Sequence, residues 1–490
     1  TSVALHRAAY LLYRHRNRMT HRNLMIFSPN DIFSDYIANV LPELGEENIM
    51  NTTFDDCARA ILGDRPKFED RYDQLEFLCT SPKDKYYLER CESIEFKSSL
   101  LFLEILRNYL EHLRKNIIEF SSLYEESSVV ISEKELRKLY KEHCAWRLLL
   151  PSLEHLAELA EIRYSHLTHP KRIRRHIASM LKKADIRELY ADLFDDPELI
   201  RSLAEGKEVP QNLEAICKLT KKTARRGKVL YEDVAPILLL KGLFDGFMAD
   251  KSVIHLIVDE AQDYTPVQLE IIRNVFSESA MTLLGDLNQS INPFMHIGSF
   301  DAVWKVFDRD KGISVPLLTS YRATFEIGQF TNHILKADNV TQIVARNGEM
   351  PSVIHVRDKE KLIGIISEDI GRMRESGLSS VAVICKSARE AAGVFARLKD
   401  THDVSLVGRD DKVFKHGIVV VPVYLAKGLE YDGVIIYDAG SHNYSGDNDR
   451  RMLYTACTRA LHVLHVYFTG VLSDLIPPLD SGLFDYITIK

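Results

Sequence analysis

A short apolar run that ends in a cluster of carboxylates constrains the fold of this chain more than any other feature. The run HLIV, from His255 to Val258, is rich in β-branched residues and too short for a core helix, so it predicts a fully buried strand. Asp259 and Glu260 follow at once, in DEAQD (259–263). Because burying two carboxylates without partners would cost several kcal/mol, we expect them to hold a ligand.

Similar strands alternate with helical segments along the chain. NLMIFSPN (23–30) and MTLLGD (281–286) also end on polar or glycine residues, and SVALHRAAYLLYRHR (2–16) has a helical pattern. A second series begins near residue 313 and comprises ISVPLLTS (313–320), SVAVICKS (380–387), GIVVVPVY (417–424), GVIIYDAG (433–440) and HVLHVYFTG (462–470). This alternation predicts an α/β fold with two domains, each a doubly wound parallel sheet that binds ligands at the carboxyl ends of its strands.

The stretch 64–228 breaks this alternation, because Leu, Glu, Lys and Arg recur in it at helical spacing. We predict a first α/β domain formed by 1–63 and 229–312, a helical insertion at 64–228, and a second α/β domain at 313–490. Within SSLLFLEILRNYLEHLRKNIIEF (98–120), residues Phe102, Ile105 and Tyr109 lie at positions i, i+3 and i+7, so we expect them to pack the core of the insertion.

Two basic runs in the insertion, HPKRIRRHIASMLKKADIR (169–187) and KKTARRGK (221–228), have two interpretations. They either face nucleic acid or an acidic protein surface, or they are solvated helix faces balanced by the acidic segment YADLFDDPEL (190–199). The histidines of this region, His166, His169 and His176, lack Cys or carboxylate partners at ligand spacing, which argues against a metal site.

Charge and cysteine usage exclude several classes of protein. The net charge of −7 gives no overall basic surface, so any contact with DNA or RNA must be local. The seven cysteines include no CxxC pair, which argues against a zinc ribbon or a disulfide framework and fits a reducing compartment. No apolar run approaches the roughly 18 residues of a membrane span. We therefore expect a cytoplasmic protein with no membrane partner.

Four further motifs follow DEAQD, and each alone could be a surface arginine, a glycine turn or a solvated glutamate. They are LLGDLNQSIN (283–292) with Asp286 and Gln289, LLTSYRAT (317–324) with Tyr321 and Arg322, YLAKGLEYDGVII (424–436) with Lys427 to Glu430 on a predicted strand-to-helix turn, and RRMLYTACTRA (450–460) with Arg459 late on a predicted helix. Together with a strand that ends in two carboxylates, they indicate a nucleotide triphosphatase, in which one carboxylate holds Mg²⁺ and the next activates water.

The order of these motifs resembles superfamily 1 helicase-like ATPases of the UvrD/Rep type, over both α/β domains but not over the insertion. The resemblance implies two RecA-like P-loop domains and the cofactors ATP and Mg²⁺. It assigns Asp259 to Mg²⁺, Glu260 to the general base, and Gln262 and Gln289 to the γ-phosphate. It also assigns Arg322 and Arg459 as arginine fingers, Tyr321 to the adenine, Glu430 to the ribose and Gly428 to the nucleotide-binding turn.

The phosphate-binding loop of such ATPases, G-x-x-x-x-G-K-[ST], is not present in the 490 residues. TSVALHRAAYLL, at the start of the chain, nevertheless resembles the helix that follows this loop. The resemblance therefore makes Thr1 a second Mg²⁺ ligand, with Ser2 beside it in the cofactor site; the alternative is that Thr1 and Ser2 only cap the helix. Because SPN (28–30), the next motif of the family, follows at the expected distance, we expect the chain to begin inside its own phosphate loop.

The positions that face nucleic acid in the family are changed here. QSINPFMH (289–296) stands where UvrD-like proteins have Q-S-I-Y-x-W-R, so that Asn292, Phe294 and Met295 replace Tyr, Trp and Arg, and Tyr424 replaces a histidine that contacts DNA. Base stacking contributes roughly 1–3 kcal/mol per base. We therefore expect only weak DNA or RNA binding, through Ser28, Asn30, Phe294 and Tyr424.

About 100 residues separate Arg322 from Lys427, which is enough to complete one α/β domain but not to hold a second large insertion. With the long insertion in the first domain, this most closely resembles the HelD family of helicase-like factors. That resemblance implies a monomeric, nucleoid-associated ATPase that binds the RNA polymerase core, releases nucleic acids and recycles stalled or terminated complexes. The alternatives are a 3′–5′ DNA helicase or translocase in DNA repair, and a nucleotide-gated polymerase-binding module with negligible turnover.

Overall fold

The computed structural model describes residues 2–28, 48–63, 68–317, 319–320, 322–336, 342–343, 346–411 and 415–489. Its two large sheets are wholly parallel and are accompanied by many helices, which confirms the predicted α/β class with two RecA-like domains. None of the helices in these ranges is long and apolar enough to cross a membrane.

The first part of the chain supplies one side of the first sheet. Its elements are α1 (Ser2–Arg14), β1 (Leu24–Phe27), β2 (Met50–Thr52) and α2 (Phe54–Leu62). In α1, Leu5, Ala8 and Leu12 recur at helical spacing and pack against the buried residues Ile26 and Ile257 of the sheet. The amphipathic pattern of 2–16 therefore forms the predicted helix, and its apolar side covers one face of the sheet.

The insertion consists of helices and one short hairpin. Its elements are α3 (Arg71–Thr80), α4 (Lys85–Lys97), α5 (Leu100–Asn116), β3 (Leu123–Glu125), β4 (Ser128–Ile131), α6 (Glu133–His143), α7 (Leu149–Tyr164), α8 (Pro170–Ser179), α9 (Ile186–Leu193), α10 (Pro197–Leu203) and α11 (Leu213–Arg225). Phe102, Ile105 and Tyr109 of α5 are all buried, as their spacing predicts.

Several cations of the two basic runs are paired with acidic residues. Arg174 Nε lies 2.6 Å from Glu161 Oε1, Lys183 Nζ lies 2.6 Å from Asp192 Oδ2 and Lys221 Nζ lies 2.7 Å from Asp195 Oδ1. The last two acidic residues belong to the segment 190–199. For the run 169–187 the structure thus favours the interpretation as a solvated helix face. In the run 221–228, Lys221 alone forms such a pair among the described residues, so both interpretations of that run remain open.

The chain then returns to the first sheet. The elements are α12 (Tyr231–Asp245), β5 (His255–Val258), α13 (Pro266–Val275), β6 (Ala280–Leu283) and α14 (Phe300–Val306). The strand order is β2-β1-β5-β6, with all strands parallel. Every residue of β5 is buried, as the HLIV run predicts.

The insertion and the first α/β domain share one hydrophobic core. Between them lies α12, which is buried on nearly all sides. Two cations of α4 reach carboxylates of α12: Arg90 bonds to Glu232 and Lys97 Nζ lies 2.5 Å from Asp233 Oδ1. Because a buried charge needs a partner, these pairs join the insertion to the domain. The predicted limits 64–228 mark where the helical insertion begins and ends, but the insertion and the first α/β domain fold around the same core.

The second α/β domain has a larger sheet. Its elements are β7 (Thr319–Ser320), α15 (Phe325–Leu335), β8 (Gln342–Ile343), β9 (Ser352–Val356), α16 (Leu362–Glu375), β10 (Val381–Cys385), α17 (Ala388–Leu398), β11 (Val404–Leu406), β12 (Ile418–Pro422), α18 (Val423–Ala426), β13 (Tyr431–Ile436), α19 (Gly446–Cys457), β14 (Ala460–Phe468) and β15 (Asp485–Ile489). Seven strands form the order β11-β12-β10-β13-β14-β9-β15, all parallel.

One predicted strand is wrong. Among the described residues of ISVPLLTS, only Thr319 and Ser320 are in a strand, and Ile313, Val315 and Leu317 are exposed. Pro316 lies in the middle of the run and has no backbone N–H to donate to a neighbouring strand. The segment therefore links the two domains instead of opening the second sheet.

Candidate functional site

The two carboxylates after β5 lie in a buried turn. Asp259 and Glu260 are both buried. The backbone of Glu260 has a φ of 51°, in the left-handed region that residues other than glycine rarely adopt. This conformation ends the strand and starts a 3₁₀ turn over Ala261–Asp263. A residue held in such a conformation inside a cleft is a candidate for a functional role.

Glu260 is held by side chains from both domains. Gln262 Nε2 donates a hydrogen bond of 2.6 Å to Glu260 Oε2, and Lys427 Nζ, from the second domain, lies 3.2 Å from the same oxygen. Burial opposes ionisation of this carboxyl, but nearby positive charges, with Lys427 the largest contributor, outweigh it and hold its pKa below the usual value. Glu260 is therefore an ionised carboxylate at neutral pH.

Lys427 is a residue to which the sequence analysis gave no role. It is almost completely buried, and its Nζ also donates to Asp263 Oδ2 (2.7 Å) and to the Gln289 carbonyl (2.8 Å). In the sequence, Lys427 stands out only as a lysine within the motif YLAKGLEYDGVII (424–436). Its partners lie in the first domain, far away along the chain, so the sequence alone did not indicate them.

The end of β6 approaches Gln262 closely. The backbone N–H of Asp286 donates to Gln262 Oε1 at 2.9 Å, and a Cβ on Gly285 would lie only 2.6 Å from that oxygen. A side chain at this position would displace the amide group of Gln262. The strand ends of β5 and β6 therefore place Gln262 beside the motif that carries Asp286 and Gln289.

Arg459 crosses the cleft between the domains. It is completely buried, and its Nη2 donates to Gln289 Oε1 at 2.8 Å, while Gln289 Nε2 donates to Asp286 Oδ2 at 2.9 Å. The prediction that Arg459 lies late on a helix is wrong. The helix α19 ends at Cys457, and Arg459 lies in the tight turn before β14, where its Nε donates to the Thr455 carbonyl.

Arg322 lies close to Arg459 and pairs with the residue expected to bind the ribose. Arg322 Nε lies 2.5 Å from Glu430 Oε1. Burial, and then the charge of Arg322, lower the pKa of Arg459 to about 10, so it stays protonated at neutral pH. Two guanidinium groups that repel each other in a buried cleft would be stabilised by a bound anion such as a phosphate.

The turn from Lys427 to Glu430 lies between α18 and β13, so its predicted position between a strand and a helix is wrong. The short helix α18 follows directly after β12 and was not apparent from four residues of sequence. Gly428 has a φ of 85°, which favours glycine. The turn thereby brings Lys427 and Glu430 to the cleft.

The residues present fit a magnesium-bound nucleotide. Burial and the neighbouring Glu260 raise the pKa of Asp259, an effect that a divalent cation would reverse. The described ranges contain no group of three or more His, Cys, Asp or Glu residues arranged to hold a metal ion by themselves. Mg²⁺ in nucleotide sites is commonly held by one or two carboxylates and by the phosphates, and Asp259 can supply such a carboxylate.

Several residues assigned from the resemblance cannot be placed. Thr1, Tyr321 and Asn30 lie outside the described residues, and Ser2 begins α1 without a described side chain. The others converge on the cleft: Glu260, Gln262, Gln289 and Arg459 contact one another directly or through Lys427. This arrangement can accept a proton from a water molecule at Glu260 and stabilise negative charge at Arg459 and Arg322.

The positions expected to face nucleic acid contact the protein itself. Ser28 is buried, with its backbone N–H donating to the Thr52 carbonyl at 2.9 Å. Tyr424 is also buried, and Phe294 is half-buried against the core of the first domain. The side chain of Asn292 donates to Gln74 Oε1 of α3 at 2.9 Å.

A cavity of about 280 Å³ lies beside α3, near Asn292 and Met295. Carboxylates outnumber guanidinium groups among its lining residues, which include Asp55, Asp56, Asp70, Glu260, Asp263, Asp410, Arg59, Arg71 and Arg409. Lys427 neutralises part of this charge through its contacts with Glu260 and Asp263. The part of the cleft left open beside α3 therefore has no excess of positive charge to attract a nucleic-acid backbone.

Comparisons with known proteins identify two family domains in the chain. The UvrD/REP helicase N-terminal domain matches residues 6–296, more than half of the chain, and the UvrD-like helicase C-terminal domain matches residues 417–467. No curated protein matches. Among solved structures, the chain is similar to the C-terminal domain of a possible DNA helicase from Lactobacillus plantarum WCFS1, with 31% identity over 35% of this chain and 99% of that chain, at a TM-score of 0.30.

Proposed function

This chain belongs to the UvrD/REP helicase family, and from that premise we propose that it is an ATPase that binds and remodels bacterial RNA polymerase. Membership makes it a helicase-like, ATP-driven motor of a family that uses ATP with Mg²⁺. The finer proposal is that its work is done on a polymerase complex, from which it releases nucleic acids, and that it recycles stalled or terminated complexes.

The observation that carries the ATPase part is the set of contacts across the cleft. Arg459 and Lys427 of the second domain reach Gln289 and Glu260 of the first. A catalytic base and charge-stabilising cations that come from different domains link the chemistry to the relative position of those domains. This is the arrangement that a motor needs.

The choice of a protein partner is supported by the other face of the cleft. Tyr424 and Asn292 stand where relatives contact nucleic acid, and both bond to α3 of the insertion. The insertion also exposes large apolar side chains, with Trp146 71% and Ile162 80% exposed. Trp side chains are enriched among the residues that contribute most to binding at protein–protein interfaces.

The proposal is tested by capture of purified RNA polymerase core on the immobilised full-length protein. We expect capture by the wild type, and weaker capture by the variant Trp146→Glu/Ile162→Glu, whose changed side chains are exposed. Val471→Glu, at a 71% exposed residue of the second domain, is the matched control and should bind as the wild type does. Failure of the wild type to capture polymerase would refute the proposal.

The second candidate is a 3′–5′ DNA helicase or translocase, which the family itself favours. Strand displacement on a tailed duplex separates the two candidates. Robust displacement by the protein without polymerase would favour the helicase. A polymerase-binding protein with no measurable ATP turnover would instead be a nucleotide-gated module.

A further inference from the structure

The helix α3 (Arg71–Thr80) lies between the two α/β domains and contacts both. On the side of the first domain, Gln74 Nε2 donates to Glu232 Oε2 at 2.8 Å, and Gln74 Oε1 accepts from Asn292 at 2.9 Å. On the side of the second domain, Leu75 is buried within the hydrophobic core of that domain. The first helix of the insertion therefore joins the two halves of the motor.

The carboxylate of Glu76 occupies an anion site on the second domain. It accepts hydrogen bonds from the backbone N–H groups of Ala388 (2.9 Å) and Arg389 (3.2 Å) and from the Tyr424 hydroxyl (2.8 Å). Ala388 and Arg389 are the first residues of α17, an eleven-residue helix whose free N–H groups favour negative charge. An internal carboxylate thus holds a place that suits a phosphate.

Further contacts continue along the same face of α3. The ring of Tyr72 packs on the ring of Tyr424, with centroids 6.0 Å apart and planes inclined by 31°. Arg409 Nη1 lies 2.8 Å from Asp73 Oδ1 and 3.3 Å from Asp70 Oδ2. Proteins hold a single strand by stacking its bases on aromatic rings and neutralising its phosphates. Here Tyr72 takes the place of a stacked base on Tyr424, and the carboxylates of Glu76 and Asp73 take the places of phosphates at a helix N-terminus and on Arg409.

We propose that α3 is an internal ligand of the cleft between the domains and excludes single-stranded nucleic acid until it is displaced. The acidic cavity beside α3 adds to the exclusion, because it offers no second path of favourable charge. The inference goes beyond the proposed function, since it holds whatever partner the insertion binds. It makes the apparent affinity for a single strand equal to the intrinsic affinity multiplied by the fraction of molecules in which α3 is displaced.

The test is the affinity of the full-length protein for a fluorescent oligo(dT), measured by anisotropy at one fixed salt concentration. Glu76→Ala removes the three bonds to the second domain, so we expect binding tighter by about tenfold or more, because the loss of even one charge-assisted hydrogen bond corresponds to about tenfold. Asp73→Ala, at an exposed residue, should act in the same direction. Equal melting temperatures establish that the variants are folded.

Glu95→Ala is the matched control, because it removes the same charge from an exposed position of α4. We expect its affinity to stay within about twofold of the wild type. If Glu76→Ala and Asp73→Ala bind the oligonucleotide no more tightly than Glu95→Ala, the inference is wrong. Polymerase capture is measured separately, so failure here leaves the proposed function untouched.

A chemical cross-link between α3 and the second domain provides an independent test of the inference. Cys79 Sγ of α3 lies 4.0 Å from Met452 Sδ of α19, so Met452→Cys places a second thiol opposite Cys79. A short bifunctional thiol reagent should then hold α3 on the second domain and abolish the gain in affinity of Glu76→Ala. Tight binding by the cross-linked double variant would overturn the inference.

Discussion

Glu260 shows at the scale of one residue how the site depends on both domains. Its backbone is left-handed, its carboxylate is buried, and Gln262 and Lys427 bond to the same oxygen. Because Lys427 contributes to the low pKa of this carboxyl, moving the second domain away would raise that pKa. The strength of Glu260 as a base is therefore coupled to closure of the cleft.

Replacing Glu260 by Gln should separate ATP binding from hydrolysis. The amide keeps the shape of the side chain but cannot accept a proton, so we expect unchanged nucleotide affinity and a turnover reduced by about 10²-fold or more. Phosphate release and binding of a fluorescent ATP analogue measure the two quantities. Glu278→Gln, at an exposed residue paired with Lys251, should change neither. Normal turnover in Glu260→Gln would remove Glu260 from the chemistry.

Replacing Arg459 by Ala should reduce turnover by about 10³-fold, as arginine fingers do in related phosphoryl transfers. The side chain also bonds to Gln289 and to the Thr455 carbonyl, so the melting temperature must be measured together with the rate. Arg459→Lys retains a positive charge but cannot make both bonds, and we expect intermediate turnover. A fully active Arg459→Ala would contradict the assignment.

At the scale of elements, β5 carries a titratable residue at its buried start. His255 bonds to Thr282 Oγ1 at 2.9 Å, and burial, with the charges of Arg7 and His15, lowers its pKa from 6.5 to about 4. As the pH falls, His255 is protonated in the unfolded chain before it is protonated in the folded protein. The contribution of neutral His255 to the free energy of unfolding is therefore complete above pH 6.5 and is lost as the pH falls towards 4. The loss amounts to roughly 3 kcal/mol. In His255→Gln, urea unfolding at pH 7.5 and pH 5 should show a smaller difference than in the wild type; an equal difference would contradict the role of His255.

The charges that join the insertion to α12 also make a stability prediction. Lys97 pairs with Asp233, which also accepts from the Tyr190 hydroxyl. Lys97→Met leaves this buried carboxylate without its cation, so we expect the free energy of unfolding to fall by about 3–5 kcal/mol. Lys207→Met breaks an exposed pair with Glu104 and should cost less than about 1 kcal/mol. Equal effects in urea denaturation would refute the structural role of the buried pair.

The same scale shows what the sequence could and could not predict. Strands β5, β10 and β12 are buried at every position, so they appear as continuous apolar runs. The strand β2 has only three half-buried residues and β15 is mostly exposed, so neither has such a signal. The motifs indicated the candidate catalytic side chains because each motif is local. The contacts of Lys427 with Glu260 and of Glu76 with Tyr424 depend on the packing of distant segments, which no local pattern encodes.

In the whole molecule, the two faces of the cleft between the α/β domains are lined by different groups. One face brings Glu260, Gln289, Arg459 and Lys427 together for phosphate chemistry, and the other face holds α3. Because the insertion shares its core with the first domain, any movement of the domains against each other must act on α3 and its contacts. The nucleotide site and the insertion are therefore mechanically connected.

Because the insertion and the first α/β domain share one core, deletion of residues 64–228 should not leave both α/β domains intact. Deletion would expose α12 and the apolar residues that it buries, so we expect the first domain to lose cooperative unfolding. Calorimetry on the deleted chain measures this. If the deleted chain still shows a cooperative unfolding transition for the first α/β domain, that domain has a core of its own.

The most direct test of the whole account is the steady-state ATP turnover of the full-length protein alone, with single-stranded DNA and with RNA polymerase core. We predict that polymerase raises the turnover and that single-stranded DNA has little effect while α3 occupies the cleft. Strong stimulation by single-stranded DNA, with no response to polymerase, would contradict it.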